Sequence, residues 1–233
     1  MKVGKFYGVG LGPGDPSLIT LKAREILEKV DVLFAPISKK GRRSIALEIV
    51  RDLIEEKEVV RLLFPMRKDP EILRPYWEKA ARVIWDKLQE GKDGAFITIG
   101  DPTFYSTYTS VLEVVKQRYP EVEIETIPGV ASLQACFAGL NMPLVDRDEK
   151  LAVLPAEYGI EELSELSEIF DTIVLMKVSR SFEKIVREIE ALGMADRALV
   201  VTKCGSRGFS SMPLGEVEGK VDFQSMIILK RKR

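Results

Sequence analysis

The sequence predicts an α/β protein made of two α/β domains with largely parallel or mixed sheets. Three observations predict it. Short apolar, β-branched runs alternate with amphipathic stretches along the 233 residues, the pattern of strands joined by helices. Two of these runs break at their ends into glycine loops, Gly8-Val9-Gly10-Leu11-Gly12-Pro13-Gly14-Asp15-Pro16 and Gly100-Asp101-Pro102. A ligand site at the carboxyl ends of parallel strands has this form, and the two loops read as two walls of one pocket. Finally, Tyr119-Pro120 reads as a hinge dividing 1–119 from 120–233.

Taken in order, Val3 to Val9 is the first strand. Its loop ends at Asp15-Pro16, followed by a helix with Leu18, Ile19, Ala23, Ile26, Leu27 and Val30 on one face. Val32-Leu33-Phe34-Ala35 is a strand stopped by Pro36, and a helix runs from about Ser44 to Glu56. Val59 to Leu63 is the next strand. Asp69-Pro70 restarts helix, and Trp77, Ala80, Ala81, Ile84 and Leu88 carry its stripe to Gly91. The strand ending at Gly100 follows, then a helix to about Arg118. In the second half, Val122 to Ile127 alternates with period two and meets Pro128-Gly129 and a small-residue helix. Strands follow at 150–154, 172–178, 198–203 and 225–230, with helices near 161–169 and 181–192.

Composition narrows the chemistry. The chain is 45% hydrophobic and 30% charged, enough to bury a core. Lys+Arg 35 against Asp+Glu 36 leaves a net charge of -1, which argues against nucleic-acid binding through a global basic field. There is no histidine, so Ser-His-Asp, Cys-His and His-ligated metal chemistry are excluded, and no metal site is expected. Cys136 and Cys204 form no C-x-x-C pair. With no secretory signal and no long apolar span, the expectation is a cytoplasmic chain with reduced thiols and no membrane partner.

The glycines are not a dinucleotide fingerprint. In G-x-G-x-x-G the sixth position from Gly8 is Pro13 and from Gly10 is Asp15, and no G-x-x-x-x-G-K-[ST] exists. Asp15-Pro16 and Asp101-Pro102 both suit a helix start, an Asp N-cap with Pro at the first helical position. Asp101 is therefore open to two readings, a cap or a charged wall of the pocket.

Val9 to Pro16, then Gly100-Asp101-Pro102, then Ile127-Pro128-Gly129-Val130-Ala131-Ser132 and Met142-Pro143-Leu144 resemble, in that order, the tetrapyrrole methylases. The likeness runs from residue 3 to about 147 and continues more weakly through Val174-Leu175-Met176 and Thr202-Lys203-Cys204-Gly205. Phe64-Pro65-Met66, Trp77 with Ala80-Ala81, and Gly100 through Thr107 resemble most the branch acting at the C-20 carbon of precorrin-2 or cobalt-factor II. The resemblance implies methyl transfer from S-adenosylmethionine to a tetrapyrrole in cobalamin biosynthesis, two α/β domains with the site in the cleft between them, and a homodimer. Three other readings stay open: a sister methylase acting at another ring carbon, a diphthamide-type protein methylase, and a non-catalytic binder.

By resemblance, the cofactor is expected against Pro13, Ile99, Gly100, Asp101, Phe104, Ser106, Thr107, Ala131, Ser132, Met176 and Gly205. Asp101 and Tyr105 are the candidates for helping a proton leave. A polycarboxylate substrate needs cations, and Lys39, Lys40, Arg42, Arg43, Arg67 and Arg147 are the candidates. Tyr76, Trp77 and Trp85 lie at helical spacing and are expected to pack rather than bind.

Overall fold

A computed structural model describes residues 2–39, 41, 44–54, 57–67, 69–157 and 160–231. Lys40, Arg42 and Arg43 thus lie outside the described residues. By internal contacts the chain divides into Met1–Ala131 and Ser132–Arg233.

The first unit opens with strand β1 (Phe6–Gly10), a 3-10 turn (Pro16–Leu18), α1 (Leu21–Lys29) and β2 (Val32–Ile37). Then come α2 (Ile45–Ile49), a 3-10 turn (Arg51–Leu53), β3 (Glu58–Leu63), α3 (Pro70–Leu88), β4 (Gly94–Thr98), α4 (Thr107–Arg118) and β5 (Ile124–Ile127). The strands form one sheet in the order β3-β2-β4-β1-β5, with every pairing parallel. Central β4 is buried throughout, as its unbroken apolar run demands.

Helices cover both faces. Ala23 and Leu27 of α1 and Ala46 and Ile49 of α2 pack with Val9, Leu33 and Ile97 on one side. On the other, Ala81 and Ile84 of α3 and Tyr108 and Val111 of α4 pack with Phe6, Phe34 and Phe96. Tyr76, Trp77 and Trp85 border this second cluster, and Trp85 stacks on Tyr119 at 4.8 Å. The chain leaves β1 toward β2 and leaves neighbouring β4 in the opposite direction, toward β5. The reversal makes the β1–β4 carboxyl ends the switch point of the sheet, where α/β folds place ligands.

Three details differ from the sequence expectation. Pro36 lies inside β2 rather than ending it. Only Val32–Phe34 pair with β4, so from Ala35 onward β2 pairs on one side and can spare an amide. Helix α2 is a short piece followed by a 3-10 turn. Finally, β5 pairs with β1 from Phe6↔Ile124 to Val9↔Ile127, so the first unit runs through Ala131 instead of ending at Tyr119-Pro120.

The second unit comprises α5 (Ser132–Gly139), β6 (Leu151–Pro155), α6 (Leu163–Ile169), β7 (Thr172–Met176), α7 (Phe182–Ala191), β8 (Ala198–Thr202), β9 (Ser210–Pro213) and β10 (Ser225–Lys230). Its sheet is mixed, in the order β6-β7-β10-β8-β9, with β10 antiparallel to both neighbours. Phe182, Ile185 and Ile189 present one face of α7 to a core shared with Leu163, Leu175, Val200 and Ile227. Edge strand β9 was not expected, because Ser210-Ser211-Met212-Pro213 has little apolar signal and is fully exposed. Arg231 locks the chain after β10, donating to Glu168 O at 2.8 Å beside the end of α6.

The cysteines also depart from expectation. Cys136 of α5 and Cys204 beyond β8 are joined in a disulfide across 68 positions, and the described residues hold no free cysteine. The fold brings together thiols that their spacing in sequence keeps apart.

Candidate functional site

Loops from the carboxyl ends of β1, β4 and β5 meet in one cluster. Gly100 N donates to Gly12 O at 2.7 Å and Gly12 N returns to Gly100 O at 3.3 Å, an antiparallel bridge between the first two loops. The third loop enters at Gly129. A Cβ on Gly10 would lie 2.7 Å from both Gly100 O and Gly129 N, and one on Gly129 would lie 2.3 Å from Gly100 O. The three backbones touch only because Gly10 and Gly129 have no side chain.

Asp101 ties this cluster together. Its Oδ1 accepts from the Thr103 amide at 2.7 Å and from the Thr103 hydroxyl, forming an Asx turn, and its Oδ2 accepts from the Gly129 amide at 3.0 Å. It does not cap the next helix. That role belongs to Ser106, whose hydroxyl accepts from Tyr108 N at 3.2 Å and lies 3.0 Å from Thr98 Oγ1. Asp15, in contrast, caps the Pro16–Leu18 turn by accepting from Ser17 N at 2.8 Å, and Thr20 caps α1.

Between Asp101 and α4 the chain turns sharply, with Tyr105 at φ 50°. A non-glycine residue in this left-handed region stores about 1–3 kcal/mol, which the surroundings must hold. Tyr105 is exposed and its ring stands 4.8 Å from that of half-buried Phe104. Pro13 is buried, Ile99 half-buried and Thr107 exposed. Gly100 is at φ +74°, and a Cβ there would meet nothing nearer than Ala131 Cα at 4.0 Å. Gly100 is buried, and a methyl group there would make only ordinary van der Waals contact with Ala131, so the loop leaves room for a small group beside its main chain.

Ser132, Met176 and Gly205 belong to the second unit. Ser132 begins α5, Met176 ends β7 half-buried, and Gly205 follows β8 at φ 64°. Strands β7 and β8 both flank β10 with their carboxyl ends at the same sheet edge, which puts Met176 and Gly205 on that edge.

Of the expected cations, Lys39 and Arg67 are exposed in the loops after β2 and β3, on the carboxyl edge of the first sheet. Arg147 is exposed in the loop between α5 and β6, at φ 48°. Gly10, Gly129 and Thr103 are not among the expected site residues. The D-x-T spacing of an Asx turn could have signalled Thr103, but close approach at Gly10 depends on a register no local pattern reveals. Among the described residues no group of three or more Cys, Asp or Glu side chains could hold a metal.

A charged network flanks β5. Glu125 accepts from Lys22 and, at 2.8 Å, from Lys5, which also holds Glu123 at 2.7 Å. These cations, Lys22 first, lower the Glu125 carboxyl to about 2, and Glu123 and Glu125 raise the Lys5 ammonium above its ordinary value. Burial raises the phenol of Tyr108, whose hydroxyl lies 2.7 Å from Thr126 Oγ1.

The family model for Tetrapyrrole (Corrin/Porphyrin) Methylases matches residues 5–217. A probable cobalt-precorrin-2 C(20)-methyltransferase of Methanocaldococcus jannaschii is 42% identical, covering 98% of this chain and 97% of its own. The cobalt-precorrin-2 C(20)-methyltransferase of Salmonella typhimurium is 36% identical over 86% of this chain and 84% of its own. Among solved structures, a cobalt precorrin-4 methyltransferase superposes with a TM-score of 0.74 at 23% identity, covering 97% of this chain and 94% of its own. The uroporphyrin-III C-methyl transferase of Thermus thermophilus, complexed with S-adenyl homocysteine, gives 0.71 at 23% identity and 97% of each chain. With the matched motifs on the three loops just described, the chain belongs to the tetrapyrrole methylases.

Proposed function

We propose that this chain transfers a methyl group from S-adenosylmethionine to the C-20 meso carbon of precorrin-2 or its cobalt-containing counterpart, in corrin-ring biosynthesis. The observation that carries the reading is the meeting of the loops after β1, β4 and β5 at Gly10, Gly100 and Gly129, at the switch point of a parallel sheet. The C(20)-methyltransferase names of the 42% and 36% identical relatives support the choice of ring carbon.

When bound, S-adenosylmethionine supplies an electrophilic methyl on a sulfonium, and the electron-rich meso carbon needs no strong base to attack it. What the protein adds is orientation in a site shielded from water, which can supply about 7–11 kcal/mol. In the first unit Pro13, Ile99, Gly100, Phe104, exposed Thr107 and Ala131 would touch the cofactor, and in the second unit Ser132, Met176 and Gly205 are the candidates. Ser106 serves instead through its hydroxyl bonds to Thr98 and the start of α4. Asp101, with both carboxylate oxygens engaged, acts as a positioning residue. Exposed Tyr105 is the candidate to relay the departing C-20 proton, its hydroxyl giving its own proton to water as it accepts the one from the ring. Lys39, Arg67 and Arg147, with Lys40, Arg42 and Arg43, would grip peripheral carboxylates of the substrate. The proposal includes a cytoplasmic homodimer; among the described residues no helix is long and apolar enough to cross a membrane.

The test is incubation with S-adenosylmethionine and either metal-free or cobalt-loaded substrate, reading mass gain and methyl position. One added methyl at C-20 is expected. No methylated product with either form, or methylation at another carbon, overturns the reading.

A further inference from the structure

The Cys136–Cys204 bond lies beside residues that the proposed function assigns to the cofactor. The two Cα atoms are 4.7 Å apart and both side chains are buried, with Met226 Sδ packed 3.5 Å from Cys136 Sγ. Cys136 follows Ser132 by four positions in α5, so the two residues share one helix face. Cys204 directly precedes Gly205. It sits between two left-handed residues, Lys203 at φ 51° and Gly205 at φ 64°.

Lysine carries a Cβ that disfavours this backbone region, so the turn needs outside support. Lys203 N donates to Gln224 O at 3.0 Å, and Ser206 donates to Lys203 O through its amide at 3.1 Å and its hydroxyl at 2.9 Å. These bonds hold the turn against its own sheet and its own chain. The turn meets α5 through the Phe209 ring, which lies against Gly139, and is joined to it covalently by the disulfide.

We propose that Cys136 and Cys204 are positioning residues: their bond fixes the Gly205 turn against the first turns of α5 and thereby sets affinity for S-adenosylmethionine, and its reduction weakens that affinity. The inference rests on the proposed cofactor site. Reduction by a dithiol balances by exchange: a thiolate attacks one sulfur, and the reductant's second thiol displaces the mixed disulfide. The protein gains two electrons and two protons as two cysteine thiols, while the reductant closes into a cyclic disulfide. Because both sulfurs are buried, the attack requires local opening and should be slow in the native protein.

The experiment measures binding of S-adenosylhomocysteine by calorimetry to the oxidised protein, the dithiothreitol-reduced protein, and Cys136→Ala and Cys204→Ala. Alkylation under denaturing conditions, read by mass, counts thiols in each sample. Expected are no adducts in the oxidised protein and two after reduction, with affinity lower by roughly tenfold, about 1.4 kcal/mol, and restored on reoxidation. In turnover, KM for S-adenosylmethionine should rise while kcat stays near its oxidised value. If the bond served stability alone, its loss would lower the melting temperature and leave both binding and KM unmoved, and that result overturns the proposal. Two alkylated thiols persisting under an oxidising glutathione buffer overturn it as well. Binding to neither form overturns the cofactor site itself and this inference with it, whereas equal binding to both overturns the inference alone.

Discussion

The Gly129 amide donates to Asp101 Oδ2 at 3.0 Å, joining the loop after β4 to the loop after β5. Since Oδ1 is held by Thr103, the carboxylate is gripped by donors from two directions. Asp101→Asn replaces one acceptor with an NH2 group that faces an amide hydrogen wherever it turns. The expected loss is about 1–3 kcal/mol, with weaker binding of S-adenosylhomocysteine. Urea unfolding and calorimetry check both. An Asn variant as stable as the parent would show that the charge-assisted bonds from Thr103 and Gly129 do not hold the loop cluster together.

Gly10 and Gly100 should respond differently to alanine. At Gly10 the added Cβ strikes backbone at 2.7 Å, so Gly10→Ala should destabilise by about 1–3 kcal/mol and disorder the loop cluster. At Gly100 the methyl finds space, and its backbone cost is about 1–2 kcal/mol for a left-handed alanine. It would stand on the loop proposed to hold the cofactor, so Gly100→Ala should raise KM for S-adenosylmethionine well beyond what its melting temperature implies. Comparing KM with melting temperature across the two variants checks this.

The pH response should trace to Glu125. Its folded carboxyl lies at about 2, below the ordinary carboxylate value of 4.5. Stability from its bonds to Lys22 and Lys5 is therefore fully present above pH 4.5 and fades as the pH falls toward 2. In Glu125→Gln that part of the acid sensitivity should vanish. Melting curves of parent and variant from pH 7 to 2 check it; parallel curves would show that Glu125 contributes nothing. Because these three groups lie partly open to solvent, the difference should also shrink in high salt.

Thr172 is fully buried in β7, and its hydroxyl has no hydrogen-bond partner among the described residues. Valine has nearly the same shape and nothing to desolvate. Thr172→Val should leave stability unchanged or raise it by up to about 1 kcal/mol. Denaturant unfolding checks the sign, and a loss would point to a buried partner for the hydroxyl.

Strand–helix alternation was legible because each β-strand of the first sheet carries its own apolar run and each long helix its own stripe. The site was legible as loops but not as bonds. Glycines after Val9 and Ile99 announce a turn, whereas the contact of Gly10 with Gly129 depends on which strands become neighbours. Asp101-Pro102 satisfied a local rule for helix starts, yet the Thr103 and Gly129 donors took the carboxylate and left capping to Ser106. Likewise Cys136 and Cys204 meet only because the fold brings α5 beside the turn that follows β8. Pro36 misled for the opposite reason, since its strand has lost one neighbour by that point.

The position of β10 has a consequence for synthesis on the ribosome. The first sheet is complete once Ile127 has been made, and all its pairings are available to that nascent segment. The second sheet has its last-made strand in the middle, paired on both sides, so β6-β7 and β8-β9 remain two separate pieces until Ser225–Lys230 emerges. The exposed flanks of β7 and β8 wait open for that time. The two halves of this enzyme should therefore fold in strict order, and the second is the one in need of protection from aggregation.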